Sequence, residues 1–118
     1  MNHTTSARAL AGFVGFAGLM HFVQPGFFDA IVPKALPGSP RSWTYTSGIA
    51  ELAVAAAVAN PGTRRTGALA AAGLFVAVFP ANIQAAVDAR TTAEKVIAWG
   101  RLPLQLPLVR WALKVRRD

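Results

Sequence analysis

The sequence predicts an all-α fold: a four-helix transmembrane bundle with a proline-rich interfacial segment between helices 1 and 2. Three observations lead there. Hydrophobic residues make up 53% of the 118 residues and charged residues only 14%, against roughly 25% charged in soluble domains. The apolar residues gather into stretches at about 7–23, 43–59, 67–87 and 96–113, each near the roughly 17–25 residues that a spanning helix uses. The few polar residues inside them, His21, Glu51, Asn82 and Arg101, fall at one depth on one side if the stretches thread antiparallel. Ionisable groups at membrane depth cost roughly 2.5–3.5 kcal/mol each on insertion scales, so they are seldom idle there. The length supports a single integral membrane domain, 1–118.

The first stretch holds one cation, Arg8, and ends at Gln24-Pro25 without a small-x-small cleavage pattern, so it reads as an uncleaved span. Gly12, Gly15 and Gly18 are spaced three apart, which predicts a small helix face for close backbone approach. The connector 25–42 carries Pro25, Pro33, Pro37 and Pro40, too broken to span. It also carries Phe27, Phe28, Ile31, Val32 and Leu36, which predicts a segment lying in the headgroup region or folding back over the bundle as a lid. Trp43 and Tyr45 open the second stretch as interfacial residues, and Asn60-Pro61-Gly62 closes it with turn chemistry. Pro80 predicts a kink late in the third stretch that frees the Val76 carbonyl. The fourth carries Arg101, Gln105 and Arg110 with Pro103 and Pro107 between them, and is expected to be the weakest and most irregular span.

The net charge of +7 would fit nucleic acid in a soluble chain. Here the cations sit in short connectors and the tail, without a basic stripe interleaved with aromatics, so membrane lipid is the expected partner and nucleic acid is not. Arg8, Arg64, Arg65, Arg110, Lys114, Arg116 and Arg117 fall on one side of the expected bundle. Lys34, Arg41, Arg90, Lys95 and Arg101 fall on the other. This bias places both termini in the cytoplasm. Only His3 and His21 are available as histidine ligands and cysteine is absent, so no metal site is expected. Phosphate-loop, dinucleotide-binding and Ser–His–Asp signatures are missing.

The candidate pocket therefore comprises His21 and Gln24, Ser47 and Glu51, Asn82, and Arg101 and Gln105. Ser47–Glu51 and Arg101–Gln105 are each four apart and share a helix face. Glu51 lies about two turns inside Trp43. It is either a proton-accepting or ligand-orienting group, or half of a buried ion pair with Arg101 joining spans two and four. His21 either relays protons or bonds Gln24 or a backbone carbonyl. Asn82, two residues past Pro80, either orients a ligand or bonds across helices.

Gly18-Leu19-Met20-His21-Phe22, Ile31-Val32-Pro33, Ser47-Gly48 with Glu51, Phe79-Pro80-Ala81-Asn82 and Arg101-Leu102-Pro103-Leu104-Gln105 together resemble, in order, the DoxX-like family of small four-helix bacterial membrane proteins. The resemblance implies a multi-pass protein of the bacterial inner membrane. It also implies a link to quinone or thiol redox systems, with a redox-enzyme subunit as partner. A chain without cysteine would leave any sulfur chemistry to that partner. The expected function is a membrane subunit whose polar pocket binds a lipophilic redox molecule such as a quinone, Glu51 and His21 relaying protons and Arg101 polarising a carbonyl. The alternatives are a non-catalytic structural membrane subunit, for which Glu51→Gln alone destabilises the bundle, and a small transporter, for which a homo-oligomer would be needed to enclose a conduit.

Overall fold

The structure, a computed structural model, describes residues 2–118, and all regular structure among them is helical. Met1, the first residue of the expected domain, lies outside the described residues. Helix α1 spans His3–Val23, its first turn capped by the Asn2 side chain, which accepts the Thr5 N–H at 2.8 Å. A single turn, α2, follows at Pro25–Asp29, and a loop with Gly38 at φ 82° leads into α3, Pro40–Ala59. Ser39 caps α3 and Pro40 begins it, where a missing N–H costs nothing.

At the far end of α3 the Asn60-Pro61-Gly62 turn brings polar side chains back onto the helix. The Thr63 hydroxyl donates to the Ala57 carbonyl at 2.7 Å, and Arg64 donates to Val58 and Ala59. These bonds satisfy carbonyls that a helix end otherwise leaves unpaired. Helices α4 (Arg64–Ala77) and α5 (Phe79–Asp88) follow, then α6 (Thr92–Arg117), opened by a reciprocal Thr91/Glu94 capping box.

The expected stretches lie inside α1, α3, α4 with α5, and α6. Two details differ in instructive ways. The third stretch is two helices, parted at Val78, because Pro80 has no N–H to offer Val76. The fourth, expected to be irregular, runs unbroken through Pro103 and Pro107. Both prolines are exposed and four apart, so the lost backbone bonds fall on one outer face and leave the packed face intact.

The helices form a ring. α1 packs on α3, α3 on α4, α4 on α6 and α6 on α1, with α5 continuing α4 against α6. α3 and α6 are therefore diagonal. Contact between α1 and α3 is backbone-close. A Cβ on Gly48 would sit 2.8 Å from the His21 Cβ and 2.7 Å from the Phe22 ring, and one on Gly18 would sit 3.1 Å from the Gly48 carbonyl. Gly12, expected on the same small face, meets nothing within 4 Å. A three-residue step lags a helical turn by about 60°, so Gly12 has rotated out of the seam that Gly18 occupies.

The interior is built from small residues, among them Ala7, Ala68, Ala71 and Ala112, with Leu10 and Val58. Large apolar side chains lie outside: Phe16 is 66% exposed, Ile49 62%, Val87 67% and Val96 67%. α1 and the Arg64–Asp88 segment are each long and apolar enough to cross a membrane.

Candidate functional site

Thr44, Gly48, Glu51, Ala55 and Val58 are the buried residues of α3. Their alternating steps of four and three place them on one face. The face that forms the close seam with α1 is thus the one that carries Glu51. On α1 the matching stripe ends at His21, in the last turn. Both side chains are buried, at 6% exposure for His21 and 8% for Glu51.

His21 Nδ1 lies 2.6 Å from the Ala17 carbonyl and 3.6 Å from Glu51 Oε2. A carbonyl can only accept, so the Nδ1 proton is directed to Ala17. Glu51 Oε2 is left buried without a hydrogen-bond partner among the described protein groups. Such an atom is costly unless something serves it.

The segment after α1 folds over this pair. The Phe28 ring stacks on His21 with centroids 3.8 Å apart and planes 16° apart, and Phe22 stacks on Tyr45 beside it. Asp29 holds α2 in place: one carboxylate oxygen accepts from the Thr44 hydroxyl at 2.6 Å, the other from Arg41 Nε at 2.8 Å. The Thr44 hydrogen bond, ahead of the Arg41 guanidinium, holds the Asp29 carboxyl below the usual carboxylate range. The Trp43 indole N–H donates to the Pro37 carbonyl at 2.6 Å, tying the rest of the loop to α3.

Inside the bundle Glu51 borders a cavity of about 30 Å³, walled by Phe13, Val14, Ala17, Leu74, Phe75 and Val78. That volume admits a water or one polar head group, not an aromatic ring. A second polar cluster reaches the backbone of Phe75, one of the residues that wall this cavity. The Asn82 amide donates to Gln105 Oε1 at 3.0 Å, and Gln105 Nε2 donates to the Phe75 carbonyl. The carbonyl that draws a side chain at the helix break is that of Phe75, one residue before the one expected.

The candidate residues therefore divide. His21 meets Glu51, and Asn82 meets Gln105, with Phe75 common to both surroundings. Gln24 is exposed, and Ser47 is half-buried with no side-chain hydrogen bond among the described residues. Arg101 is half-buried and forms no ion pair there. The expected Glu51–Arg101 pair is replaced by His21–Glu51, because α6 lies diagonal to α3 while α1 lies beside it. The histidine bonds a backbone carbonyl rather than Gln24. Phe28, expected only as part of the covering segment, and Asp29 and Thr44, not singled out, belong to the site. Two signals pointed to them: Asp29 is the one acid in the connector, and Thr44 lies seven residues, two turns, before Glu51. Among the described residues no three His, Cys, Asp or Glu side chains gather as a metal site.

A family model described as Domain of unknown function (DUF8561) matches residues 10–116, which include every residue of this site. No curated protein and no solved structure matches the chain.

Proposed function

The chain belongs to the DUF8561 family, and we propose that it is a multi-pass inner-membrane bundle of four spans whose His21–Glu51 pair receives the polar head of a lipophilic small molecule. The inverted distribution of side chains supports the membrane reading. α3 and α6 carry charge, yet their outer surfaces present Ile49, Leu52, Ile97 and Leu106, as a lipid-facing helix does. The long dimension of 42 Å is close to the roughly 40–45 Å of a bilayer with its headgroups. In this reading both termini are cytoplasmic and the site lies towards the outer face.

The observation that carries the binding role is the unserved Oε2 of Glu51, a residue that borders the cavity. A hydroxyl entering there would donate to this oxygen, which His21 faces at 3.6 Å without donating to it. The cavity takes the head alone, so the ring of a quinol-like ligand would rest against Phe13, which is 46% exposed and forms the outer wall. The resemblance to DoxX-like proteins makes a quinone the first ligand to test and a redox-enzyme subunit the first partner.

The test is a titration of the detergent-purified chain with a short-chain quinol, read by quenching of tryptophan fluorescence. We expect saturable binding that Glu51→Gln weakens at least about tenfold, the effect of roughly 1.4 kcal/mol lost from one charge-assisted hydrogen bond. Unchanged binding in that variant removes Glu51 from the role. The topology has its own test. The chain is free of cysteine, so single cysteines at Gly62 and Arg90 should react with an impermeant maleimide from opposite sides of membrane vesicles; labelling from one side refutes four spans.

A second reading, a structural subunit without a ligand, is favoured by the Asn82–Gln105–Phe75 chain, whose groups satisfy one another. It requires Glu51→Gln to weaken the fold, whereas the binding reading does not.

A further inference from the structure

We propose that the C-terminal half of α6 is a binding site for the phosphodiester headgroup of an anionic phospholipid. Pro107, Arg110, Trp111, Lys114 and Arg117 follow one another at steps of three, one, three and three, so they share one side of the helix. With Arg116 they line an open groove of about 690 Å³. Among the described residues none of its four cations makes a side-chain hydrogen bond or ion pair, and the acid nearest in sequence is Asp118.

Arg110 and Lys114, four apart, repel one another along the helix, and the helix dipole offsets this only within the last turn. Further cations gather nearby. The Trp111 indole N–H donates to Ser6 Oγ at 2.9 Å, bringing the start of α1, with Arg8, to this end of the bundle. The connectors of the opposite end carry Asp29, Asp88 and Glu94 among their cations, and Arg41 pairs with Asp29. The excess of cations over acids is therefore greater at the α6 tail, where Asp118 is the one acid in the sequence nearby.

The surroundings favour a lipid over other phosphates. The Trp111 ring is fixed against Phe13, centroids 6.1 Å apart, giving the groove a rigid aromatic wall. Leu106 and Leu104, 58% and 54% exposed, continue outward from the groove along α6. A phosphate seated on Arg110 and Lys114 would thus have an apolar track for its acyl chains within one helical turn. Neither free phosphate nor nucleic acid has a use for such a track. The placement rests on the membrane reading above.

The full chain, reconstituted into nanodiscs of phosphatidylglycerol and phosphatidylcholine, is released and its retained lipid counted by native mass spectrometry. Retention of phosphatidylglycerol over phosphatidylcholine by about tenfold is expected, from basic residues that each attract an anionic surface. The variant R110Q/K114Q/R117Q should lose the preference, and R90Q/K95Q, with cations removed from the other end, should keep it. Equal retention in the first variant, or equal loss in the second, overturns the site. So does displacement of the lipid by inorganic phosphate or a short DNA duplex. A chain that inserts without lipid preference sinks this proposal alone; one that never inserts sinks the membrane reading with it.

Discussion

The α1–α3 pair and the α5–α6 pair both bury polar side chains, but on different terms. Between α5 and α6 each group has a partner: Asn82 donates to Gln105, and Gln105 donates to a carbonyl at the helix break. Between α1 and α3 the backbones touch through Gly18 and Gly48, and among the described residues neither helix gives Glu51 Oε2 a hydrogen-bond donor. Among the described residues the one charge-bearing partner of Glu51 in that seam is His21, at 3.6 Å. Closed networks of the first kind specify packing. An incomplete one at the edge of a cavity leaves a valence for something outside the chain.

The strongest way to break this contrast is at the seam itself. Gly48→Ala puts a methyl into space held by His21 and Phe22 and should destabilise by about 1–3 kcal/mol, the usual cost of overpacking. Gly12→Ala, with open space around it, should be neutral or stabilising by up to about 1 kcal/mol. Thermal unfolding in detergent compares them, and equal effects would mean that the close approach is not what holds α1 to α3.

Next in size is the closed network. Gln105→Ala leaves the Asn82 donor and the Phe75 carbonyl unpaired and should cost about 1–2 kcal/mol. Combined with Asn82→Ala it should cost less than the sum of the two single changes, because they remove a shared interaction. Strict additivity would show that the chain of hydrogen bonds does not act as a unit.

Glu51→Gln sharpens the contrast from the other side. It replaces a carboxylate oxygen that lacks a donor, so stability should change by less than about 1 kcal/mol while ligand binding falls. A large loss of stability would move Glu51 into the same structural class as Gln105.

The smallest effect concerns the cover over the site. The folded-state pKa of Asp29 is depressed, chiefly by Thr44. Its contribution to holding α2 is therefore whole above the ordinary carboxylate value near pH 4 and disappears as pH falls through the lower folded value. Hydrogen exchange across residues 25–38 should accelerate in acid, and Asp29→Asn should abolish that pH dependence. Exchange that is flat with pH in the unaltered chain would separate Asp29 from the cover.

Two helix ends were legible because they carry unambiguous chemistry: Gln24-Pro25 and Asn60-Pro61-Gly62 each stop a helix by a definite backbone requirement. The Thr91/Glu94 box, which starts α6 ahead of the expected 96, went unread. Depth along the bundle was legible too, since counting residues brings His21 and Glu51 level. The direction around each helix axis was not. Which neighbour Glu51 meets depends on whether α1 or α6 lies beside α3, and nothing in the spacing of Arg101 distinguishes an adjacent helix from a diagonal one. Gly12 misled for a related reason, since a regular step of three drifts around the helix. Pro103 and Pro107 were overrated as breakers because their effect depends on which face they occupy. Phe28 and Asp29 sit in an aperiodic connector, where no repeat marks a residue as inward-facing.

The break at Val78 has a mechanical consequence. α1 and α3 are locked along a glycine seam, whereas the segment opposite them is jointed, and the joint residue together with Leu74 and Phe75 supplies a wall of the cavity. A swing of α5 about that joint would enlarge or collapse the chamber while its carboxylate stayed fixed on the rigid half. The bundle is thereby divided into a glycine-locked half and a jointed half, with the joint residue itself on the cavity wall.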